Sequence, residues 1–314
     1  MMIGVDVVAV VVAHGSLHGE PVHGLGSRAQ RLTREGWQHM RVLISVDMEG
    51  VAGVVDPDDI SPGQPEYERN RRLMTAEANA AVRGVLQFDR AAEVLVSDAH
   101  ARYRNILPEL LDRRCELLRG TPKPFGMLAG IDTGVDAVLF VGYHGKAGTP
   151  DSVLAHSVSG GVIGDIRCNG RSLGEIGLNV ALAAHFGAVP VLVTGDGSVA
   201  REAGEVAPGI HAVTVKRALG ARAASSLHPE EACDRIESTA VLALASRDEV
   251  SALRFDGPVE LEVRVHRTRM AEQALLVPGM RFKDAADGCT LAYSAPDFPT
   301  AYNVIELIIL LGML

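Results

Sequence analysis

Five side chains of types that commonly bind metal ions occur at the predicted ends of strands and in the turns that follow them. They are Asp47 and Glu49 in ISVDMEG, His100 in VLVSDAH, His144 in LFVGYHG and Glu175 in GEIGLN. Two imidazoles and three carboxylates form a ligand set suited to zinc or a similar divalent cation, and one carboxylate can bridge two ions. Because a pair of ions can activate a water molecule between them, this set predicts a two-metal hydrolase.

Each of these residues also has an ordinary structural explanation. Asp47 could be a turn or capping residue, and the two histidines could be hydrogen-bonded groups of a core or a turn. The helix dipole alone would favour Glu175 in the first turn of a helix. The metal interpretation rests on convergence, because three consecutive strands of a predicted parallel sheet each deliver a metal-type residue to the same edge.

The elements that must position these residues alternate between strands and helices from Met40 onward. Four short runs rich in Val, Ile and Leu are typical of strands buried on both faces: RVLISV, EVLVSD, DAVLFVGY and PVLVTGD. The segment EYERNRRLMTAEANAAVRGVLQF, between the first two, has the apolar spacing of an amphipathic helix. This βαβ pattern predicts an α/β fold with a mostly parallel sheet flanked by helices, whose ligands collect at the carboxyl ends of the strands.

The pattern divides the chain into three parts. Residues 40–190 are predicted to form a metal-binding α/β domain. Residues 191–314 contain VLVTGD, PVELEVRV and the apolar closing helix TAYNVIELIILLGML, which predict a second, smaller α/β lobe that contributes to the core and to a subunit interface. Residues 1–39 include a Gly, His and Arg-rich stretch without strand or helix periodicity, so we expect either a disordered extension or a misassigned start.

Composition and charge restrict the possible partners. The 314 residues are 47% hydrophobic and 22% charged, and the net charge of -9 is spread along the chain without a long basic run. This argues against nucleic acid and anionic membranes as partners and favours a small molecule. Four widely spaced cysteines and the lack of a basic segment before the amino-terminal apolar run predict a reduced, cytoplasmic protein.

Two further residues follow predicted strands or turns and could contribute chemistry. His156, in VLAHSVSGG, lies in a short loop after His144 and could act as a general acid or base or hold a developing oxyanion. The alternative is a loop histidine exposed to water. Asp196, in TGDG, could be another ligand, but Gly-Asp-Gly is equally a turn signature, and we favour the turn.

Nine segments of the chain together carry a resemblance to a known family. They are SVDMEG, EYERNRRLMTAEAN, SDAH, KPFGML, GYHGKAGTP, AHSV, GEIGLN, VKRALGARAASSLHPEEA and DFPTAYNVIELIILLG. In this order they resemble the bacterial D-aminopeptidase family of DppA-type metallopeptidases, over about residues 40–314. The resemblance implies a binuclear zinc peptidase, with two zinc ions per subunit, that releases amino-terminal D-amino acids from short peptides. It also implies a homodecameric ring.

The resemblance assigns metal-binding roles to the five residues described first. The family's first acidic ligand matches Asp47, which would bridge both zinc ions. Glu49 and His100 match the ligands that complete one site. His144 and Glu175 match the ligands that complete the other.

The family's catalytic histidine, described there as the nucleophile, matches His156. The loop between His144 and His156 is one residue longer than in the family pattern and includes KAGTPDSVLA. Catalytic geometry is sensitive to displacements of about 1 Å. The longer loop therefore bears on substrate choice and rate more than on the metal site.

The expected mechanism starts from a water molecule that bridges the two zinc ions, with a pKa lowered towards about 7. Two other classes of function remain open. A binuclear metal hydrolase of another bond, such as a phosphoester, would use the same metal chemistry. A non-catalytic dipeptide-binding protein would not require a cluster of five metal ligands.

Overall fold

The computed structural model describes residues 39–284 and 286–314, and its main sheet has seven strands. In their order across the sheet, the strands are β3 (Cys115–Leu118), β2 (Glu93–Asp98), β1 (Arg41–Val46), β4 (Ala137–Tyr143), β7 (Val189–Asp196), β8 (His211–Gly220) and β9 (Ala223–Ser226). Neighbouring strands run parallel except for β8 and β9, which form an antiparallel hairpin. The predicted mostly parallel sheet is confirmed.

Helices cover both faces of the main sheet. They are α2 (Tyr67–Phe88), α3 (Glu175–His185), α4 (Gly197–Val206) and α5 (Pro229–Ala245). The four-residue helix α1 (Pro57–Ile60) packs against α2 instead. Because side chains alternate along a strand, Val42 and Ile44 of β1 join the core formed with α2 and α5, whereas Leu43 joins the core formed with α3 and α4. The apolar runs of the sequence are therefore strands buried on both faces, and α2 is the predicted amphipathic helix.

The second sheet is smaller and entirely antiparallel. Its strands, in order, are β11 (Arg281–Asp284), β12 (Asp287–Ala295), β10 (Val259–Val265), β5 (Ile163–Cys168) and β6 (Arg171–Ser172). Two helices, α6 (Thr268–Ala274) and α7 (Phe298–Gly312), pack against it. Asp297 caps α7 by accepting a hydrogen bond of 2.8 Å from the Thr300 amide. Within residues 39–284 and 286–314, no helix combines the length and apolar character needed to cross a membrane.

The domain boundary predicted at residue 190 does not separate the two sheets. Strand β7 begins at Val189 and lies inside the main sheet, whereas β5 and β6, which precede the boundary, belong to the second sheet. Residues 39–314 form one compact unit. The second sheet is assembled from two separated stretches of chain, and a linear reading of the sequence cannot detect such an insertion. The predicted extension at residues 1–39 lies outside the described residues, apart from His39.

The register of the main sheet brings the ends of β1, β2 and β4 to one edge. Val46, the last residue of β1, pairs with Asp98 of β2 and with Val141 of β4. Two glycines allow the turns after β1 and β4 to touch. A Cβ at Gly50 would collide with the Tyr143 carbonyl, and Gly142 adopts a left-handed φ of 72°. The glycines of the DMEG and GYHG motifs therefore serve the close approach of two loops.

Candidate metal centre

The five predicted metal-type residues lie together at the carboxyl edge of the main sheet. Asp47 directly follows β1, and Glu49 lies in the turn after it. His100 lies just beyond β2, and His144 directly follows β4. Glu175 is the first residue of α3. All five are buried, with between 2% and 6% of each residue exposed, so the structure brings the whole predicted set into one enclosed region.

Asp47 stands between two groups of side chains. Its Oδ1 lies 3.4 Å from His100 Nδ1, and its Oδ2 lies 3.4 Å from His144 Nε2. Glu49 Oε2 lies 2.9 Å from the same His100 nitrogen, and Glu175 Oε1 lies 3.3 Å from the same His144 nitrogen. Asp47, Glu49 and His100 form what we name the Glu49 trio, and Asp47, His144 and Glu175 form the Glu175 trio. In each trio the potential ligand atoms lie within 4.8 Å of one another.

The charges of the centre are strongly interdependent. Burial and the nearby charge of Glu49 raise the pKa of Asp47 well above its ordinary value. Burial alone would lower the pKa of His100, but the charges of Glu49 and Asp47 raise it well above the usual range. The pKa of His144 is likewise raised, because Glu175 and Asp47 outweigh its burial. Three carboxylates in one buried region therefore require positive charge close to them.

Two buried atoms at the middle of the centre have no hydrogen-bond partner among the described residues. They are Asp47 Oδ2 and His144 Nε2, which face each other across 3.4 Å. A buried polar atom without a partner is costly, and such atoms often mark the position of an ion or a ligand. Because a carboxylate oxygen and an imidazole nitrogen are both zinc ligands, the residues of the centre fit that metal.

His156 lies at the rim of the centre. Its ring stacks on the His144 ring with centroids 4.1 Å apart, and its Nε2 lies 3.6 Å from Glu175 Oε1. The Leu154 carbonyl accepts a hydrogen bond from Nδ1 at 2.9 Å, which directs Nε2 towards the carboxylates. The side chain is 24% exposed, so it can meet a substrate. It also lies close enough to Glu49 and His144 to form a third potential ligand group.

Asp196 anchors the loop that carries His156. The carboxylate caps α4 by accepting hydrogen bonds from the amides of Ser198 and Val199. It also accepts a 2.8 Å bond from the Val153 amide and a 3.1 Å bond from the Ser152 hydroxyl. Asp196 belongs to none of the candidate ligand groups, in line with its interpretation as a turn residue.

A cavity of about 170 Å³ opens onto the centre. Its wall includes Tyr103, Met127 and Val158 in addition to the metal-type residues. Tyr103 and Val158 both adopt left-handed backbone conformations, with φ of 57° at each. A larger, open depression on the outer surface of α2 contains none of the candidate ligands. No periodicity or spacing in the sequence marks the wall residues, although the KPFGML motif contains Met127.

The chain belongs to the D-aminopeptidase family, Peptidase M55, whose family model matches residues 40–307. A D-aminopeptidase from Bacillus subtilis (strain 168) is 33% identical over 274 residues, which cover 87% of this chain and 98% of that protein. The resemblance inferred from the sequence motifs is confirmed. Family membership supports an aminopeptidase function for the centre described above.

A solved structure shares the fold. It is the Zn-dependent D-aminopeptidase DppA from Bacillus subtilis, described as a self-compartmentalizing protease. The match has a TM-score of 0.83 and 32% sequence identity, and it covers 87% of this chain and 98% of that one. The α/β architecture with its second antiparallel sheet is therefore that of the family.

Replacement of Asp196 by Asn tests the anchor of the His156 loop. Burial would raise the pKa of Asp196, but hydrogen bonds from Ser198, Val153 and their neighbours hold it below its ordinary value. A lowered folded-state pKa stabilises the fold above the unfolded value of about 3.9, and this stabilisation is lost as the pH falls through the folded-state value. We expect D196N to lower the free energy of unfolding by about 1–3 kcal/mol at neutral pH.

Urea unfolding of wild type and D196N across the acidic range measures this effect. The difference between the two proteins should stay constant down to about pH 5 and shrink below about pH 4. D132N is the control, because Asp132 is exposed and forms no hydrogen bond through its side chain in the described part of the chain. A D196N difference that does not change with pH would contradict a role for the charged carboxylate.

Proposed function

We propose that the protein is a zinc-dependent aminopeptidase that hydrolyses amino-terminal D-amino acids from short peptides. The observation that carries the proposal is the pair of trios that share Asp47, with unpaired Asp47 and His144 atoms facing each other between them. Family membership and the Zn-dependent relative support the choice of reaction and of metal. The substrate class rests on the relatives, because D-aminopeptidase is their described activity.

In this proposal each subunit would hold two zinc ions, and Asp47 would contribute to both sites. Glu49 and His100 would complete one site, and His144 and Glu175 would complete the other. When bound, zinc would supply Lewis acidity towards a scissile carbonyl and would lower the pKa of a bound water molecule towards about 7. The carboxylates and imidazoles must be deprotonated to bind metal, so the protons that they share in the metal-free centre would leave.

His156 completes the proposed machinery from the rim of the centre. Because its Nδ1 is engaged with the Leu154 carbonyl, its Nε2 is free to face the substrate. At Nε2 the imidazole can accept the proton that the attacking water molecule loses, and the resulting imidazolium can stabilise the oxyanion that develops on the carbonyl or pass that proton to the leaving amine. Its partial exposure suits a group that meets substrate better than a fully enclosed ligand, which favours this role over the third ligand group.

The shape of the cavity is compatible with removal of one residue at a time. At about 170 Å³ it is small, and Tyr103, Met127 and Val158 enclose it. Such a cavity can hold a short side chain next to the metal centre while the rest of a peptide extends outwards.

A phosphoesterase would use the same metals, but the family match favours a peptide bond. A dipeptide-binding protein would leave the buried ligand set without a role.

Metal analysis paired with two chromogenic substrates tests the function. The full chain should contain about two zinc ions and release p-nitroaniline from D-Ala p-nitroanilide, but far less from the L-isomer. A chelator should abolish the release, and added zinc should restore it. Nitrophenyl phosphate serves as the comparison substrate. Chelator-sensitive phosphate ester hydrolysis without anilide release would replace the peptidase proposal, and a chain without bound metal would refute it.

Replacement of His156 by Ala separates catalysis from metal binding. We expect H156A to reduce kcat by about 100- to 10,000-fold while zinc content stays unchanged, because the imidazole transfers a proton or holds an oxyanion instead of binding metal. H185A is the matched control, since His185 ends α3 away from both trios. Loss of zinc from H156A would identify His156 as a ligand of the third group instead.

We also propose that the protein assembles into a homo-oligomer, with a decameric ring as the expected form. The solved relative is a self-compartmentalizing protease. On this chain, α7 carries an exposed apolar stripe in which Leu307 is 39% exposed, Leu310 is 50% exposed and Leu314, just beyond the helix, is 81% exposed. Residues three or four apart share one helix face, and clustered exposed leucines are typical of protein interfaces.

A charged substitution on this stripe tests the assembly surface. We expect L310E to shift the protein to a smaller species, because a buried charge at an apolar interface is unfavourable. Light scattering coupled to gel filtration measures the mass. L242E on α5 is the control, since Leu242 is 60% exposed on a helix that packs against the other core. An unchanged mass for L310E would exclude this stripe as the interface.

A cytoplasmic location stays a prediction. The four cysteines, Cys115, Cys168, Cys233 and Cys289, are free thiols in the structure, which is the usual state in a reducing compartment.

A further inference from the structure

Lys216, in the middle of β8, is a buried cation with no role in the proposed chemistry. It lies in the VKRALG segment, and only 2% of the residue is exposed. Its ammonium group donates hydrogen bonds to the carbonyls of Glu49, Val51 and Val54, the last two at 3.0 Å and 2.6 Å. Because an ammonium group has three donors and no acceptor, its hydrogen-bonding capacity is completely used.

These three carbonyls belong to one short loop, residues 49–54, which carries Glu49 and which we name the Glu49 loop. Three amides of the same loop donate to groups outside it. Gly50 donates to the Gly142 carbonyl at 2.7 Å, and Gly53 donates to the Ser226 hydroxyl at 2.9 Å. The Ala52 amide donates to Glu77 Oε1 at 2.8 Å. Lys216 therefore binds three carbonyls of a loop in which three amides are bound by other groups.

Burying an ammonium group is costly unless its surroundings replace the lost water. Burial lowers the pKa of Lys216 to about 8, and the charges of Glu77, Asp196 and Glu49 oppose this effect. Three converging carbonyl dipoles replace that water and stabilise the ammonium group. Without the ammonium group, the three oxygens would point at one another with no donor between them, so the loop would have to rearrange.

Apart from Asp47, which both trios share, the residues of the Glu175 trio are held by different elements. His144 follows β4 directly, and Glu175 begins α3 and accepts a hydrogen bond of 2.6 Å from the Val158 amide. Lys216 forms no hydrogen bond with these residues. A substitution of Lys216 should therefore alter the geometry of the Glu49 trio and leave His144 and Glu175 nearly unchanged.

We propose that Lys216 is a positioning residue that fixes the Glu49 loop and thereby sets the metal affinity of the Glu49 trio, while the Glu175 trio is nearly independent of it. The inference rests on the proposed zinc centre. Lys216 lies more than 160 residues from Glu49 in the chain, and it would set the metal affinity of one of the two sites.

Competition titration of the full-length apoprotein with zinc and a chromophoric chelator measures the affinity of each site. E49Q identifies the step that belongs to the Glu49 trio. In K216M we expect that step to weaken by about 10- to 100-fold, as is typical when support for a metal ligand is lost, and the other step to change less than about threefold. The d–d spectrum of the cobalt-substituted protein should change for one ion only.

Two further variants make the outcome decisive. L244A creates a cavity in the same core, at a residue that belongs to neither trio, and controls for a general loss of stability. If K216M does not fold, K216Q keeps two donors on a shorter, neutral side chain and should weaken the same step by a smaller factor.

The possible results separate the inference from the proposed function. Selective weakening in K216M but not in L244A supports the inference. If the wild type binds two zinc ions and K216M or K216Q leaves both affinities unchanged, the inference is overturned. The peptidase proposal would stay intact. If K216M and L244A weaken both zinc-binding steps equally, Lys216 has only a general stabilising role. That result would also overturn the inference. A wild-type chain without zinc binding would overturn the metal centre itself.

Discussion

The need to balance three carboxylates in one buried region is the constraint on which the rest of the structure depends. Asp47, Glu49 and Glu175 are almost completely enclosed, and like charges in a medium of low polarity repel strongly. In the protein alone, His100 and His144 provide the compensating charge. Divalent cations can do so more completely, because they satisfy both the charge and the unpaired atoms.

Rigid support makes this concentration of charge possible. A buried chain of hydrogen bonds runs beneath the centre from α7 to β1. Tyr302 donates to Asn179 at 2.9 Å, Asn179 donates to the Tyr143 hydroxyl at 2.9 Å, and that hydroxyl bonds to Ser45 at 2.7 Å. Because every member has a partner, the network can fix the relative positions of α3, β4 and β1 at little cost. Helix α7, which packs against the second sheet, thus helps to hold the site although it contributes no candidate ligand.

The sequence predicted the main sheet, α2 and the convergence of all five metal-type residues, because these depend on local periodicity and on the shared edge of parallel strands. It could not reveal the insertion of β5 and β6, which depends on pairing with a strand almost a hundred residues later. Lys216 also escaped detection, since a lysine in a strand is usually exposed. Lys216 is buried because it binds the Glu49 loop, which follows β1. The sequence around Lys216 does not indicate this contact.

The hairpin of β8 and β9 links parts of the protein that are distant in the chain. Lys216 binds the Glu49 loop, Ser226 accepts a hydrogen bond from Gly53 of that loop, and the Ala221 carbonyl at the turn accepts a 3.0 Å bond from Leu154, two residues before His156. Loops of different relatives are therefore not interchangeable one by one. A chimera that takes either loop from a relative should also need that relative's β8–β9 hairpin. The two loops and the hairpin should change together in evolution.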